Sequence, residues 1–281
     1  MIEIFDPSLK NLQLNSGFKN NSIPINAAEW SVEYVKDAVS GEVFLDQSGQ
    51  PLVLKGIGIV ELQNEWLKLE KKQLDDHLIL SLKENLTLNP RKFLIGILAD
   101  GNRDEISFTQ TRGRGYEIVK KEITEVPGSR IESTTEDGLH VITLTNNDYI
   151  AKYIDLYDMF KDVKHMSEFT SPVDDAFNWV NTQEIPIFLE EINKDGKIYW
   201  SKNVSYKKGQ SFEPYLTVGG SKIEILVKAN TSVKASGKIT YLSRESKYTF
   251  TIKNMSSGNT FDVYGTWKQK VPISTSVEIL K

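Results

Sequence analysis

Residues 92–110 read KFLIGILADGNRDEISFTQ and contain the pattern of a complete β-hairpin. Apolar side chains alternate with other residues on both sides of Asp100-Gly101, which places them on one face of each strand. The Asp-Gly pair supplies the positive-φ positions that a tight hairpin turn requires. The residues predicted to point into a core are Phe93, Ile95, Ile97, Ile106 and Phe108.

Short strands with turn signals between them precede this hairpin from about Ala27 onward. One of them, LILSLKEN, places Leu78, Leu80 and Leu82 on one face. Closely spaced strands of this kind are typical of an antiparallel sandwich. The sequence therefore predicts a first immunoglobulin-like sandwich over residues 27–113.

The C-terminal part of the chain repeats this arrangement. Strand-like stretches KIEILV, GKITYL and YTFTIKN follow one another, with a polar turn predicted at SRES. Residues 85–110 and 230–254 share the order strand, kink, strand, hairpin, strand, which favours a duplicated module. The predicted fold class is mainly β, with two Ig-like antiparallel β-sandwich modules, the second over residues 185–281, and a mixed strand/helix segment between them.

That segment, residues 114–184, contains a predicted β-hairpin region and one predicted helix. Strands YEIVKKEITEV and GLHVITLTN flank turns at Pro127-Gly128 and Asp137-Gly138. The helix would be capped by Asn147 or Asp148. Its apolar stripe, spaced three or four residues apart, consists of Ile150, Tyr153, Ile154, Tyr157 and Phe160. Such a segment either docks a partner or packs over a sheet of its own chain.

Residues 1–26 are rich in Asn, Ser and Pro and read as an extended N-terminal arm. Arms of this kind are either mobile or ordered by a neighbouring subunit. The arm shows no basic stretch followed by an apolar run, so we expect no secretory signal and synthesis in the cytoplasm.

Composition excludes several classes of function. The net charge of −4, with acidic and basic residues interspersed, predicts no nucleic-acid partner. The chain has 0 cysteines, so disulfides, thiol nucleophiles and thiolate metal sites are excluded. Apolar runs fall short of the roughly 18 residues of a membrane span, so we expect no membrane partner.

Candidate catalytic residues are few, and the sequence predicts a protein that is not an enzyme. His77, His140 and His165 lie on different predicted elements, which disfavours a metal site. The carboxylate pairs Asp174-Asp175 and Glu190-Glu191 point to opposite faces of extended backbone, so neither predicts a glycosidase. Nucleotide and dinucleotide fingerprints are absent from the sequence, and we expect no cofactor.

Aromatic and arginine side chains are the candidate binding residues. Trp200, Trp267 and Tyr264 have polar neighbours in sequence and could contact a glycan or a partner, although tryptophan in a sandwich is commonly core. Arg112 and Arg114, in the sequence TRGRG, are interpreted as a solvated joint between modules. The alternative is docking to an acidic neighbour, since arginine forms bidentate pairs with carboxylates.

Residues 28–113 resemble the BACON domain, an Ig-like β-sandwich of Bacteroidetes proteins and their phages. Trp66-Leu67 entering a strand, the polar sequence ENLT and Arg91 just before the next strand carry the resemblance. The closing ISFTQ, with Thr109, Gln110 and then Gly113, completes it. The C-terminal segment departs from the pattern, because Lys253-Asn254 stands where TQ would fall.

The resemblance implies a spacer, adhesin or carbohydrate-contacting module rather than a catalyst. Chains of this kind without cysteine and without an export signal resemble virion proteins of Bacteroides phages, including the crAss-like group. We therefore expect a structural component of a phage tail, neck or collar, localised to the virion. Its partners would be other virion proteins and copies of itself in a homo-oligomeric ring. The alternative is a carbohydrate-binding adhesion module for surface glycans.

Overall fold

The computed structural model describes residues 3–17, 20–73, 75–135, 140–173, 175–180, 186–188, 191–215 and 223–280. It is mainly β and contains several sheets. The chain divides into two compact units, each built from three stretches of sequence. The first unit comprises Met1–Lys120, Val173–Asn181 and Phe250–Val263, and the second comprises Lys121–Pro172, Thr182–Thr249 and Tyr264–Lys281.

The first unit contains a short 3₁₀ helix, Pro7–Leu9, and two four-stranded sheets. Its strands are β1 (Asn11–Leu14), β2 (Asn20–Pro24), β3 (Trp30–Asp37), β4 (Gly58–Glu61), β5 (Leu67–Lys71), β6 (His77–Leu82), β7 (Arg91–Ala99) and β8 (Asn102–Gln110). The strand orders are β1-β8-β7-β3 and β2-β6-β5-β4. Buried aliphatic residues of both sheets belong to one core, so the first unit is a β-sandwich.

The hairpin predicted at residues 92–110 is confirmed. Strands β7 and β8 pair in antiparallel register from Arg91 opposite Gln110 to Ala99 opposite Asn102. Asp100 and Gly101 both have positive φ, 48° and 79°, as a two-residue turn of this type needs. The five residues predicted to point inward are at most 1% exposed. Leu78, Leu80 and Leu82 are buried as predicted.

The prediction of an extended N-terminal arm is wrong. Strand β1 pairs in parallel with β8, and β2 pairs antiparallel with β6, so both sheets of the sandwich include N-terminal residues. Ile4, Phe5 and Ile23 are buried in the same core. The Asn- and Ser-rich composition concealed these alternating apolar positions, which supply the edge strands of the first unit.

The remaining strands include two that are far longer than average strands of about 5–6 residues. They are β9 (Tyr116–Glu125), β10 (Ile131–Thr134), β11 (His140–Asn146), β12 (Lys152–Asp155), β13 (Lys164–Thr170), β14 (Pro186–Phe188), β15 (Ile192–Lys194), β16 (Lys197–Trp200), β17 (Asn203–Ser205), β18 (Gly209–Pro214), β19 (Glu224–Val227), β20 (Thr231–Asn254) and β21 (Thr260–Leu280). A seven-stranded sheet has the order β10-β20-β21-β13-β18, with β9 and β11 also on β20. Three two-stranded sheets, β12-β19, β14-β17 and β15-β16, complete the set among the described residues.

The second Ig-like sandwich predicted over residues 185–281 is not observed as a separate module. Its residues are divided between both units, and the predicted turn SRES lies inside the continuous strand β20. Arg244 of that sequence is 6% exposed, and its Nε donates to Gln269 Oε1 at 2.8 Å. Its Nη1 lies 3.2 Å from Glu125 Oε2. These cross-strand partners let polar residues continue the strand, where the sequence alone indicated a turn.

The helix predicted from residue 147 onward is also wrong. Lys152–Asp155 is strand β12, which pairs antiparallel with β19, and the only helical turn there is α1 (Tyr157–Phe160). The tyrosine and isoleucine residues of the proposed stripe fit a strand as well as a helix, and pairing with β19 decides between them. The strands predicted in YEIVKKEITEV and GLHVITLTN correspond to β9 and β11. The predicted turn Asp137-Gly138 lies outside the described residues.

Candidate functional site

Trp267 lies in the interior of the second unit. It is 0% exposed, stacks on Phe169 with ring centroids 4.9 Å apart, and donates from Nε1 to Ser167 Oγ at 2.6 Å. Strand β21 places it inward because side chains alternate across the sheet. A covered indole offers no face to a sugar, so Trp267 does not provide the aromatic platform that the glycan hypothesis requires.

Trp200 is also covered, at 3% exposure. Its ring stacks on the imidazole of His165, with centroids 4.7 Å apart and planes 21° from parallel. Burial, with a smaller effect of the Lys202 ammonium, lowers the pKa of His165 to about 4. His165 is therefore a neutral core residue at neutral pH, and Trp200 packs against it rather than facing solvent.

Tyr264 is the predicted contact residue that remains accessible, with 52% of its surface exposed. Its backbone carbonyl accepts a hydrogen bond from Ser171 Oγ at 2.7 Å. The structure therefore does not bring Trp200, Trp267 and Tyr264 together on one exposed face.

Arg112 and Arg114 lie inside the first unit, not at its boundary. Arg112 Nη2 donates to the Asn178 carbonyl at 2.8 Å, and Ser256 Oγ donates to the Arg114 carbonyl at 2.8 Å. The next residue, Gly115, accepts from Met255 N at 3.0 Å. The interpretation of TRGRG as a joint between modules is wrong, because these bonds hold it within one unit.

The two arginines line a cleft of about 690 Å³ in the first unit. Its lining also includes Ser16, Thr111, Ser256 and Ser257. The sequence analysis selected the two arginines but none of these serines, because residues far apart in the chain leave no shared pattern in the local sequence.

A buried polar network lies beneath this cleft. Ser16 receives hydrogen bonds from two side chains: Gln110 Nε2 donates to its carbonyl at 2.9 Å, and Asn254 Nδ2 to its Oγ at 2.7 Å. The Glu84 carboxylate accepts from Asn254 Nδ2 at 2.8 Å and from the Tyr116 hydroxyl at 2.9 Å. Burial and this carboxylate raise the pKa of Tyr116. The network is satisfied and rigid, so it supports the cleft from below.

Three residues that carry the BACON resemblance belong to the same region. The Arg91 guanidinium lies 4.6 Å from the centre of the Trp66 ring, and Arg91 Nη1 donates to Gln110 Oε1 at 3.2 Å. Burial lowers the pKa of Arg91 to about 10, still far above neutrality. Trp66, Arg91 and Gln110 therefore have a shared packing role at one end of the sandwich.

The second unit carries a set of exposed apolar side chains around β12 and β19. Tyr149 is 92% exposed, Ile150 74%, Tyr153 67% and Leu226 50%. Tyr153 and Leu226 are direct partners across the β12-β19 pair, so they lie side by side. We call these four residues the apolar surface. The sequence analysis placed two of the four, Ile150 and Tyr153, in a helical stripe and did not select Tyr149 or Leu226, because it took β12 for part of a helix.

Asn146 holds the loop of the apolar surface in place. Its buried amide Nδ2 donates to the carbonyls of Ile150 at 2.9 Å, Val227 at 3.0 Å and Lys228 at 3.1 Å. Its Oδ1 accepts from Asp148 N at 3.0 Å. These bonds join the loop before β12 to the end of β19, so the exposed tyrosine and isoleucine are presented from a fixed backbone.

Possible catalytic or metal-binding groups are sparse in the described part of the chain. The His77 Nδ1 lies 2.9 Å from Asp75 Oδ1 and 2.6 Å from Asp76 Oδ1 on the surface of the first unit. The side chain of His140 lies outside the described residues, as do Asp174 and Glu190 of the two carboxylate pairs. None of the described helices is long and apolar enough to cross a membrane.

Comparison with known proteins places the chain in no family. The sequence matches no description of a protein family, and no curated protein matches it. Among solved structures, a protein from Bacteroides thetaiotaomicron is similar over 38% of this chain and 80% of that one, with 18% identity and a TM-score of 0.29. A lamprey immune protein is similar over 95% of this chain and 88% of that one, with 8% identity and a TM-score of 0.33. Structural similarity at TM-scores this low does not assign a function to the chain.

Proposed function

We propose that this chain is a non-enzymatic structural component of a phage virion, in a tail, neck or collar assembly, that acts through protein–protein contacts. The observation that supports a contact role most directly is the apolar surface. Tyrosine and large aliphatic residues are enriched where protein interfaces exclude water, and here they stand exposed on a fixed backbone. A fixed backbone lowers the entropic cost of association.

A second copy of the chain is the occupant proposed for this surface. Asp155 and Glu224 share the strand face of Tyr153 and Leu226, Lys228 directly follows β19, and Lys152 pairs with Asp148 next to Tyr149, so both signs of charge border the apolar residues. A two-fold contact needs a patch that is complementary to itself, and a mixed border of this kind allows it. Such a contact is proposed to pair two copies, and the homo-oligomeric ring would need a further, heterologous contact between pairs.

The assignment to a virion rests on the sequence resemblance. Residues 28–113 would be an Ig-like module of the BACON type, of the kind found in virion proteins of Bacteroides phages. The glycan-binding alternative is less well supported, because Trp200 and Trp267 are covered and Tyr264 stands apart from them.

The experiment compares association of the unaltered chain with that of a Tyr149→Ser/Ile150→Ser variant by sedimentation velocity over a concentration series. The proposal expects the unaltered chain to associate and the variant to stay monomeric with an unchanged circular dichroism spectrum. Leu88→Ser is the matched control, since Leu88 is 66% exposed in the first unit. Mass spectrometry of purified particles tests the virion assignment. A chain that is monomeric throughout and absent from virions contradicts the proposal.

A further inference from the structure

The cleft beside Arg112 and Arg114 has a charge opposite to that of the whole chain. Two of its ten lining residues are arginines, and none of these ten, all within the described part of the chain, carries a carboxylate. The net charge of the chain is −4. A concave site lined by one sign of charge concentrates its field, so this cleft attracts anions even though the chain is acidic.

The Arg112 side chain and the backbone at Arg114 are held in position before any ligand binds. Asn178 anchors Arg112 through the hydrogen bond to Nη2, and Arg114 is joined through its carbonyl to Ser256. Asn254 Oδ1 in turn accepts from the backbone N–H groups of Ser256 at 2.8 Å and Ser257 at 3.3 Å. Residues 112–115 and 254–257 are therefore joined to each other by hydrogen bonds, and this fixed backbone lowers the entropic cost of binding.

A carboxylate of the protein lies close to the cleft. Glu84 is 9% exposed, its Oε1 accepts hydrogen bonds from both Tyr116 and Asn254, and it is not among the ten lining residues. These uncharged donors stabilise the carboxylate but leave its charge, so the two arginines would hold a bound anion against this repulsion.

The lining chemistry favours peptide carboxylates over sugars. Arginine guanidinium groups form paired hydrogen bonds with carboxylates. Ser256 Oγ and Thr111 Oγ1 already donate to carbonyls of the protein, so they can accept from the N–H groups of a bound peptide. The ten described lining residues include no aromatic ring on which a sugar could stack. A cleft of about 690 Å³ lies within the range of about 300–1,000 Å³ that is usual for ligand sites.

We propose that this cleft binds an acidic peptide segment of a partner protein, whose carboxylates pair with Arg112 and Arg114. The proposal rests on the contact role given above and assigns a second contact to the chain, chemically distinct from the apolar surface. Arg112 would hold the more buried carboxylate, because its guanidinium is already oriented by Asn178. Arg114, which is exposed, would pair with the next acidic residue.

The test is calorimetric titration with a capped peptide of alternating Asp and Ser, and with the same peptide carrying Asn in place of Asp. The Asp peptide is expected to bind the full chain and the Asn peptide is not. Arg114→Gln should weaken binding about two- to fivefold, the contribution of one ion pair at an exposed site. Added salt should weaken it further.

Arg103→Gln is the matched control, because Arg103 is a surface cation of the same unit with 75% of its side chain exposed. Equal weakening by Arg103→Gln, equal affinity for the Asn peptide, or no binding would overturn the proposal. Tighter binding of a sulfated disaccharide, or of inorganic phosphate, would also overturn it, since the cleft would then select another class of anion. If the Asp peptide does not bind but Tyr149→Ser/Ile150→Ser still abolishes association of the chain, only the cleft proposal is refuted.

Discussion

The aliphatic core of the first unit and the aromatic core of the second unit are stabilised in different ways. The sandwich core consists mainly of Ile, Leu and Val from both sheets, with Phe93 and Phe108 stacked at 4.9 Å. Such side chains contribute through volume and apolar area alone. The core therefore tolerates substitutions that conserve volume.

The aromatic core combines packing with polar groups that must be paired. Phe169 contacts Tyr206, Tyr248 and Trp267, and the Tyr206 and Tyr248 hydroxyls are 3.0 Å apart. Tyr248 also donates to the Thr170 carbonyl at 3.1 Å. Burial raises the pKa of both tyrosines, so both stay protonated. Each ring must therefore keep its shape and its hydrogen bond, which makes this core less tolerant of substitution.

The largest expected effect is that of Trp267→Ala. It removes a fully buried ring from its stack on Phe169 and leaves Ser167 Oγ without its indole donor. We expect a loss of about 3–5 kcal/mol in the free energy of unfolding, measured by urea denaturation. Ile95→Leu in the sandwich conserves volume and should cost less than about 1.5 kcal/mol, whereas Trp267→Phe should cost more because it removes the indole donor as well as volume. An equal cost for Ile95→Leu and Trp267→Phe would contradict the difference between the two cores.

The second prediction concerns the polar network below the cleft. Asn254→Ala removes the donor to Ser16 Oγ and Glu84 Oε1 and the acceptor for Ser256 N. Because these groups are buried, we expect a loss of about 1–3 kcal/mol in the free energy of unfolding. Asn259→Ala is a useful comparison, since Asn259 Nδ2 donates to the nearby Gly17 carbonyl from a less buried position. If Asn254→Ala leaves the free energy of unfolding unchanged, the polar network does not stabilise the first unit.

The third prediction is a pH dependence carried by His165. Its pKa is about 4 in the folded chain against an ordinary value of 6.5, so the unfolded chain binds the proton more readily in that interval. The contribution of His165 to the free energy of unfolding is fully present above pH 6.5. It falls as the pH decreases towards 4, by at most about 1.4 kcal/mol per pH unit. His165→Gln should flatten this dependence in urea denaturation series at several pH values. An unchanged slope in the variant would assign the effect to other groups.

The smallest expected effect is that of Tyr264→Ala. Its side chain is 52% exposed, and the Ser171 bond uses its backbone carbonyl, which the substitution keeps. We expect a change within about 0.5 kcal/mol in the free energy of unfolding. A larger loss would show that Tyr264 is part of the aromatic core after all.

The sandwich was predictable where local pattern and turn chemistry agree. Residues 92–110 show apolar alternation on both sides of Asp100-Gly101, and the structure has that hairpin with the predicted inward residues. The N-terminal strands were missed because each shows few apolar positions, and pairing with β8 and β6 decides their conformation.

The second unit was less predictable because its conformation depends on partners distant in sequence. The SRES residues read as a turn, but Arg244 finds Gln269 and Glu125 across the sheet. Tyr153 and Ile154 fit a helical spacing, but they pair with β19 more than 70 residues later, at Leu226 and Ile225. Of the residues discussed for the cleft, the sequence analysis named Arg112 and Arg114, but it interpreted them as a joint between modules. It did not find the apolar surface, which exists only when β12 is a strand.

The chain is expected to associate through the apolar surface around Tyr149 and Ile150. Sedimentation velocity over a concentration series, on the unaltered chain and on the Tyr149→Ser/Ile150→Ser variant, measures this association. Association should increase with concentration in the unaltered chain and in Leu88→Ser, and the double variant should be monomeric throughout. Unchanged association of the double variant, or monomers in every sample, would refute association through this surface.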